Sequence, residues 1–103
     1  MPKNKRTIAT DISAKVRKEV KDRDNYCVSC GTSYNLQIAH VYLRRSQGGL
    51  GIKENLCVLC YKCHMILDQG KVEQSNQIRA IVHDYMKRHY GEVDLDKIKY
   101  NLF

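Results

Sequence analysis

Five cysteines sit between positions 27 and 63 of this 103-residue chain, and their spacing is that of a metal site. Cys27-Val28-Ser29-Cys30-Gly31 is a CxxC pair followed by glycine. Such a knuckle aims two sulfurs, and often backbone N–H groups, at one cation. A second pair follows after 29 intervening residues, where Cys57, Cys60 and Cys63 offer two overlapping CxxC choices. We take Cys60 and Cys63, with Cys57 and Cys60 as the alternative. Cys57 lies inside the apolar run Leu56-Cys57-Val58-Leu59, where a buried thiol behaves as a small hydrophobe. Cys63 stands at an expected helix start, whose dipole favours a thiolate. Two such knuckles complete a tetrahedral zinc site of four thiolates with Zn–S near ~2.3 Å. A redox dithiol accounts for one CxxC pair and not for two, and an odd number of cysteines fits a closed disulfide framework poorly.

Three more residues are left over once zinc is satisfied: His40, Asn55 and His64. Singly, each has a structural explanation, since a strand-end histidine is commonly a hydrogen-bonded scaffold and an asparagine commonly fills a turn. It is their joint placement around the two knuckles that points to chemistry. His83 and His89 have no cysteine or carboxylate partners at ligand spacing and read as helix side chains. The tyrosines read as half-buried packing.

The balance of 18 basic against 11 acidic residues, net +7 with a pI near 9.3, suits a polyanionic partner better than an acidic substrate. Residues 1–26 carry eight basic and four acidic side chains, so the surplus is concentrated beside the cysteine-rich centre. No apolar run approaches the ~20 residues that cross a bilayer. No hydrophobic segment follows the basic start Met1 to Arg6, so no secretory signal is expected. The expected setting is reducing and cytoplasmic, in which paired CxxC motifs read as metal ligands.

The elements that must position these residues are legible in outline. One domain is expected, with residues 1–9 a loose basic tail and 10–103 the folded part. Ile12, Val16 and Val20 share one helical face over Thr10 to about Asp22, with Thr10 or Asp11 placed as cap. Leu36 to Leu43 reads as a strand. Arg44 to Gly51 is a glycine-bearing flexible loop, Leu56 to Leu59 a buried stretch, and Tyr61 to about Asp68 a helix stopped by Gly70. Ile78, Ile81, Val82, Tyr85, Met86 and His89 line one stripe of a helix over Glu73 to Tyr90, with Gly91 as its cap. Leu95, Ile98, Leu102 and Phe103 offer a last turn or packed tail. With no Trp and one Phe the core is thin, so a small α+β domain stapled by zinc is expected.

Taken together, Arg17 to Asp24, Cys27-x-x-Cys30-Gly31, Leu36-Gln37-Ile38-Ala39-His40, Arg45-Ser46-Gln47-Gly48-Gly49, Glu54-Asn55-Leu56 and Leu59-Cys60-x-x-Cys63-His64 resemble, in order, the HNH (ββα-metal) endonucleases. The resemblance covers about residues 17–70 and is to the small forms, found in bacteria and their phages, that carry a zinc site of four cysteines. It implies a β-hairpin and a helix clamped around a divalent cation (Mg2+, Mn2+, Ni2+ or Zn2+), flanked by N- and C-terminal helices. It implies that His40 is the general base, that Asn55 ligates the metal or fixes the loop holding the base, and that His64 is a metal ligand. Many members place an Asp or His ligand just before the base. Ala39 stands there here, and Asp68, four residues after His64 on the same helix face, is the candidate substitute. Arg44 and Arg45, beside the base, are candidates for phosphate contact. The implied activity is hydrolysis of DNA phosphodiester bonds with little sequence preference, in a bacterial or phage-infected cell, with a phage-packaging partner conceivable. A non-catalytic zinc-ribbon module that binds nucleic acid is the alternative.

Overall fold

The computed structural model describes residues 4–100. Four α-helices and two strands follow one another as α1 (Lys5–Thr10), α2 (Ala14–Asp24), β1 (Leu36–His40), β2 (Leu56–Cys60), α3 (Tyr61–Gln69) and α4 (Val72–Tyr90). Short 3₁₀ turns occupy Arg45–Gln47, Lys53–Asn55 and Leu95–Ile98. The result is the α+β domain expected, with Leu102 and Phe103 outside the described residues.

The strands pair antiparallel in the register Leu36↔Cys60 through His40↔Leu56. Because side chains alternate along a strand, the two-stranded sheet feeds two cores. Ile38, Leu56 and Val58 face α2, where Val20 is fully buried and Ile12 and Val16 pack at the edge. Ala39, Cys57 and Leu59 face the other way, onto Leu67 of α3 and onto Ile78, Val82 and Met86 of α4. All five residues of β2 are buried, as expected of a strand covered on both faces. The α4 stripe is narrower than its sequence pattern: Ile81 and His89 are exposed. The helix lies against α3, where the Ser75 hydroxyl donates to the Leu67 carbonyl at 2.7 Å.

Four expectations need correction. Residues 5–9 are not a loose tail but belong to α1, capped by Asn4, whose side chain accepts from the Thr7 amide. With α1 ending at Thr10, neither Thr10 nor Asp11 caps α2. Ser13 does, its hydroxyl accepting from the Val16 amide at 3.1 Å. The strand stops at His40 rather than Leu43, because the amides of Tyr42 and Leu43 turn to the Asn55 side chain instead of a strand partner. Finally, Tyr85 and Tyr90 are more than packing. The fully buried Asp24 carboxylate accepts from Arg23, from the Tyr85 hydroxyl at 2.5 Å and from the Val58 amide at 2.8 Å. Arg23 in turn donates to Tyr90 and to the carbonyls of Lys53 and Leu56. A buried carboxylate is tolerable only with its lone pairs filled in this way, and the cluster ties α2 and α4 to β2. Burial and then Asp24 push the Tyr85 hydroxyl up to about 12, so it stays a donor.

Candidate metal centre and catalytic cleft

At one end of the ladder the two knuckles meet. The first is the turn after α2, closed by the Gly31 amide on the Cys27 carbonyl at 2.8 Å, with the Cys30 amide aimed at Cys27 Sγ. The second is the junction of β2 and α3. There Cys60 is the N-cap and its sulfur accepts from the Cys63 amide at 3.4 Å. The sulfurs of Cys27, Cys30, Cys60 and Cys63 all lie within 4.8 Å of one another, and Cys30 and Cys60 are 3.7 Å apart. A tetrahedron with Zn–S of ~2.3 Å has edges of about 3.8 Å, so these four residues can hold a structural metal ion such as zinc. Burial alone would push the Cys27 thiol up, but the N–H groups of Cys30, Cys60 and Ser29 outweigh it and bring the thiol down to about 7. Cys63, with burial dominant, is pushed up to about 12.

Cys57 stands apart. Three residues from Cys60 on a strand, it points to the opposite face and is fully buried, where desolvation drives its thiol well above the usual range.

At the other end of the ladder is His40, the last residue of β1. Its ring is largely buried, and its Nε2 is shielded with no hydrogen-bond partner. Burial depresses its pKa below the ordinary 6.5. The Thr10 backbone opposes this, while the charges of Arg45 and His64 add to it. His64, near the start of α3, sits across from it. Its Nδ1 lies 2.7 Å from Gln37 Oε1, and its Nε2 lies 3.3 Å from Asp68 Oδ2. The Gln37 amide oxygen accepts from Nδ1, which turns Nε2 towards Asp68. A metal-ligating imidazole is commonly held in this way. His40, His64, Asp68, Arg44 and Arg45 line one cavity of about 240 Å³. Arg45 also pairs with Asp11, and Arg44 reaches the Asp68 carbonyl at 3.5 Å.

Asn55 is near the cleft without opening into it. Fully buried, its Oδ1 accepts from the amides of Tyr42 and Leu43, and its Nδ2 donates to the carbonyls of Leu43 and Leu50. Every hydrogen-bonding position of the amide is used, so of its two expected roles only loop-fixing remains. Nor does position 39 offer a ligand: Ala39 faces the α3–α4 core, opposite to His40.

The loop from 44 to 51 is not slack, as the sequence suggested. A Cβ on Gly49 would lie 2.0 Å from the Leu43 carbonyl oxygen, and one on Gly51 would lie 2.0 Å from that of Asp11. The second contact is where the loop grips the end of α1, with the Gly51 amide donating to Ala9.

Gln37, as a partner of His64, and the Thr10 backbone, as a neighbour of His40, were not among the expected site residues. A glutamine on a strand and a backbone carbonyl carry no pattern that identifies them. His83 is a helix side chain, as read, packed 4.8 Å from the Tyr42 ring and outside the cavity shared by His40 and His64.

Among the described residues, no helix is long and apolar enough to cross a membrane. Comparison with protein-family models, curated proteins and solved structures finds no match to the chain.

Proposed function

We propose that the protein is a metal-dependent endonuclease of the HNH (ββα-metal) type, hydrolysing DNA phosphodiester bonds. One observation carries the reading: two histidines, from the end of β1 and the start of α3, line a single cavity with a carboxylate and two arginines. They do so on a strand–strand–helix unit whose far end is braced by four clustered sulfurs.

In this reading His40 is the general base. Depressed below 6.5, its imidazole is neutral at neutral pH and can take a proton from water attacking phosphorus once substrate and water reach the shielded Nε2. Arg44 and Arg45 hold the phosphate, for which the guanidinium fork is suited. His64 Nε2 and Asp68 Oδ2 would hold the divalent cation, Gln37 fixing the imidazole tautomer for that purpose. Bound there, the ion supplies charge neutralisation to the phosphate and the leaving 3′ oxygen. Asn55 is a positioning residue that keeps the loop after the base in place.

A second reading, a non-catalytic zinc-ribbon module binding nucleic acid, draws support from the shielding of His40 Nε2. Supercoiled plasmid incubated with the full chain and Mg2+, Mn2+ or Ni2+ separates the two. The nuclease produces nicked or linear product. His40→Ala slows it by about 10²–10⁴-fold, with zinc content and fold unchanged. No cleavage by the wild-type chain in any of these metals, or equal cleavage by the variant, removes the nuclease assignment or its base.

A further inference from the structure

The chain's arginines and lysines are distributed differently, and the difference follows the cleft. Four adjoining cavities run past His40, each sharing residues with the next: Thr10 and Arg45 link the first two, His40 and Arg45 the next, and His40, Arg44 and Asp68 the last. Arg6, Arg17, Arg44, Arg45 and Arg79 line them, five of the seven arginines in the sequence. None of the ten described lysines does. These five come from α1, α2, the loop after β1 and α4, so no local sequence feature groups them.

The two remaining arginines, Arg23 and Arg88, are paired with Asp24 and Asp84. Among the described residues Arg6, Arg17, Arg44 and Arg79 form no ion pair with a carboxylate. Of the two acidic residues in the trough, Asp11 pairs with Arg45, and Asp68 lies 3.3 Å from His64, where it would serve the proposed cation. Guanidinium groups without carboxylate partners along one groove make a track for successive phosphates. Arginine holds phosphate through two parallel N–H bonds, where lysine offers only a point charge.

We propose that this trough is a backbone-reading track for duplex DNA, with Arg6 and Arg17 gripping phosphates on one side of His40 and Arg79 on the other. It rests on the reading of the His40 cavity as a DNA site. It extends that reading to three arginines outside the cavity and makes recognition independent of base sequence, since phosphate contacts carry no sequence information.

Binding of a fluorescein-labelled DNA duplex to the full-length His40→Ala protein, followed by anisotropy across a salt series, tests it. Arg6→Gln, Arg17→Gln and Arg79→Gln should each weaken binding and flatten the plot of log affinity against log salt by about 0.9. Lys53→Gln, Lys62→Gln and Lys97→Gln should leave the slope nearly unchanged, and two duplexes of unrelated sequence should behave alike. If lysine and arginine variants lose equally, only net charge matters and the track is overturned. Tighter binding of an RNA duplex overturns the choice of DNA. A protein that never cleaves plasmid yet shows the arginine-selective losses keeps the track and loses the nuclease. One that cleaves, with all three arginines silent, does the reverse.

Discussion

The two ends of the β1–β2 ladder are about 14 Å apart, four residue steps, and they are built on opposite rules. At the Cys60 end every donor points inward: four sulfurs within 4.8 Å, amides aimed at two of them. At the His40 end the groups face a cavity, the Nε2 of His40 has no partner and the arginines around it outnumber the acids. The first arrangement is a closed ligand set, as in structural zinc sites; the second leaves positions for something to enter. One short ladder thus carries a closed ligand set and an open cavity, because the junction of β2 and α3 feeds both. The β2 strand and α3 carry both, so an ion held by the sulfurs would also brace His64 through the helix turn that holds Cys63.

The largest break in that comparison comes from the sulfur end. Cys63→Ala, or extraction of zinc by a chelator, should unfold the domain, since structural zinc contributes roughly 10–16 kcal/mol of apparent binding energy in small metal-dependent folds. Cys57→Ala should keep one zinc per chain and cost only on the order of 1 kcal/mol for the small cavity. Elemental analysis and thermal melts of the two variants decide it. Zinc lost from the Cys57 variant and kept in the Cys63 variant would reassign the ligands.

Asn55→Ala strikes the other end alone. Removing its side chain orphans two amides and two carbonyls, a cost of about 3 kcal/mol or more. Amide exchange should accelerate over residues 41–51 while the knuckle amides stay protected. Uniform acceleration would mean that the two ends are one cooperative unit.

Gly51→Ala sharpens the contrast further. A methyl 2.0 Å from the Asp11 carbonyl oxygen must push the end of α1 away from His40, at about 1–3 kcal/mol. The zinc site should be untouched. The His40 pKa, followed by NMR, should move, because the Thr10 backbone that faces the ring shifts with α1. An unmoved pKa would show that α1 has no part in holding the His40 ring.

The smallest effect is that of pH. Burial lowers the pKa of both His40 and His83. The unfolded chain therefore takes up these protons first as pH falls. Stability from the two neutral rings is fully present above 6.5 and is lost on acidification towards their lower folded values. Denaturant melts in mildly acid buffer should show the loss, and His83→Gln should lessen it. The proposed cleavage needs neutral His40, so its acid limb should lie below 6.5. A limb above that value would exclude His40 as the base.

The knuckles, the two C-terminal helices and the buried Leu56–Leu59 run were legible because each is written within a few residues: CxxC spacing, a three-to-four-residue apolar period, a continuous apolar stretch. His40, His64 and Asp68 were legible only as candidates. Their meeting in one cavity depends on a register, His40 opposite Leu56, that no local pattern states. Asn55 was found, but its role was not, since an amide that ligates and one that pins a loop look alike in sequence.

The amino-acid sequence alone determined the two knuckle spacings and the net charge of +7, because both are properties of the chain. Tertiary structure decided the rest. Strand alternation sent Cys57 and Ala39 into the core. Contacts spanning 27 residues from Gln37 to His64 and 40 from Arg6 to Ser46 drew the cleft together. Such long-range pairings are chosen by packing of the whole domain, and packing leaves no periodic trace along the chain.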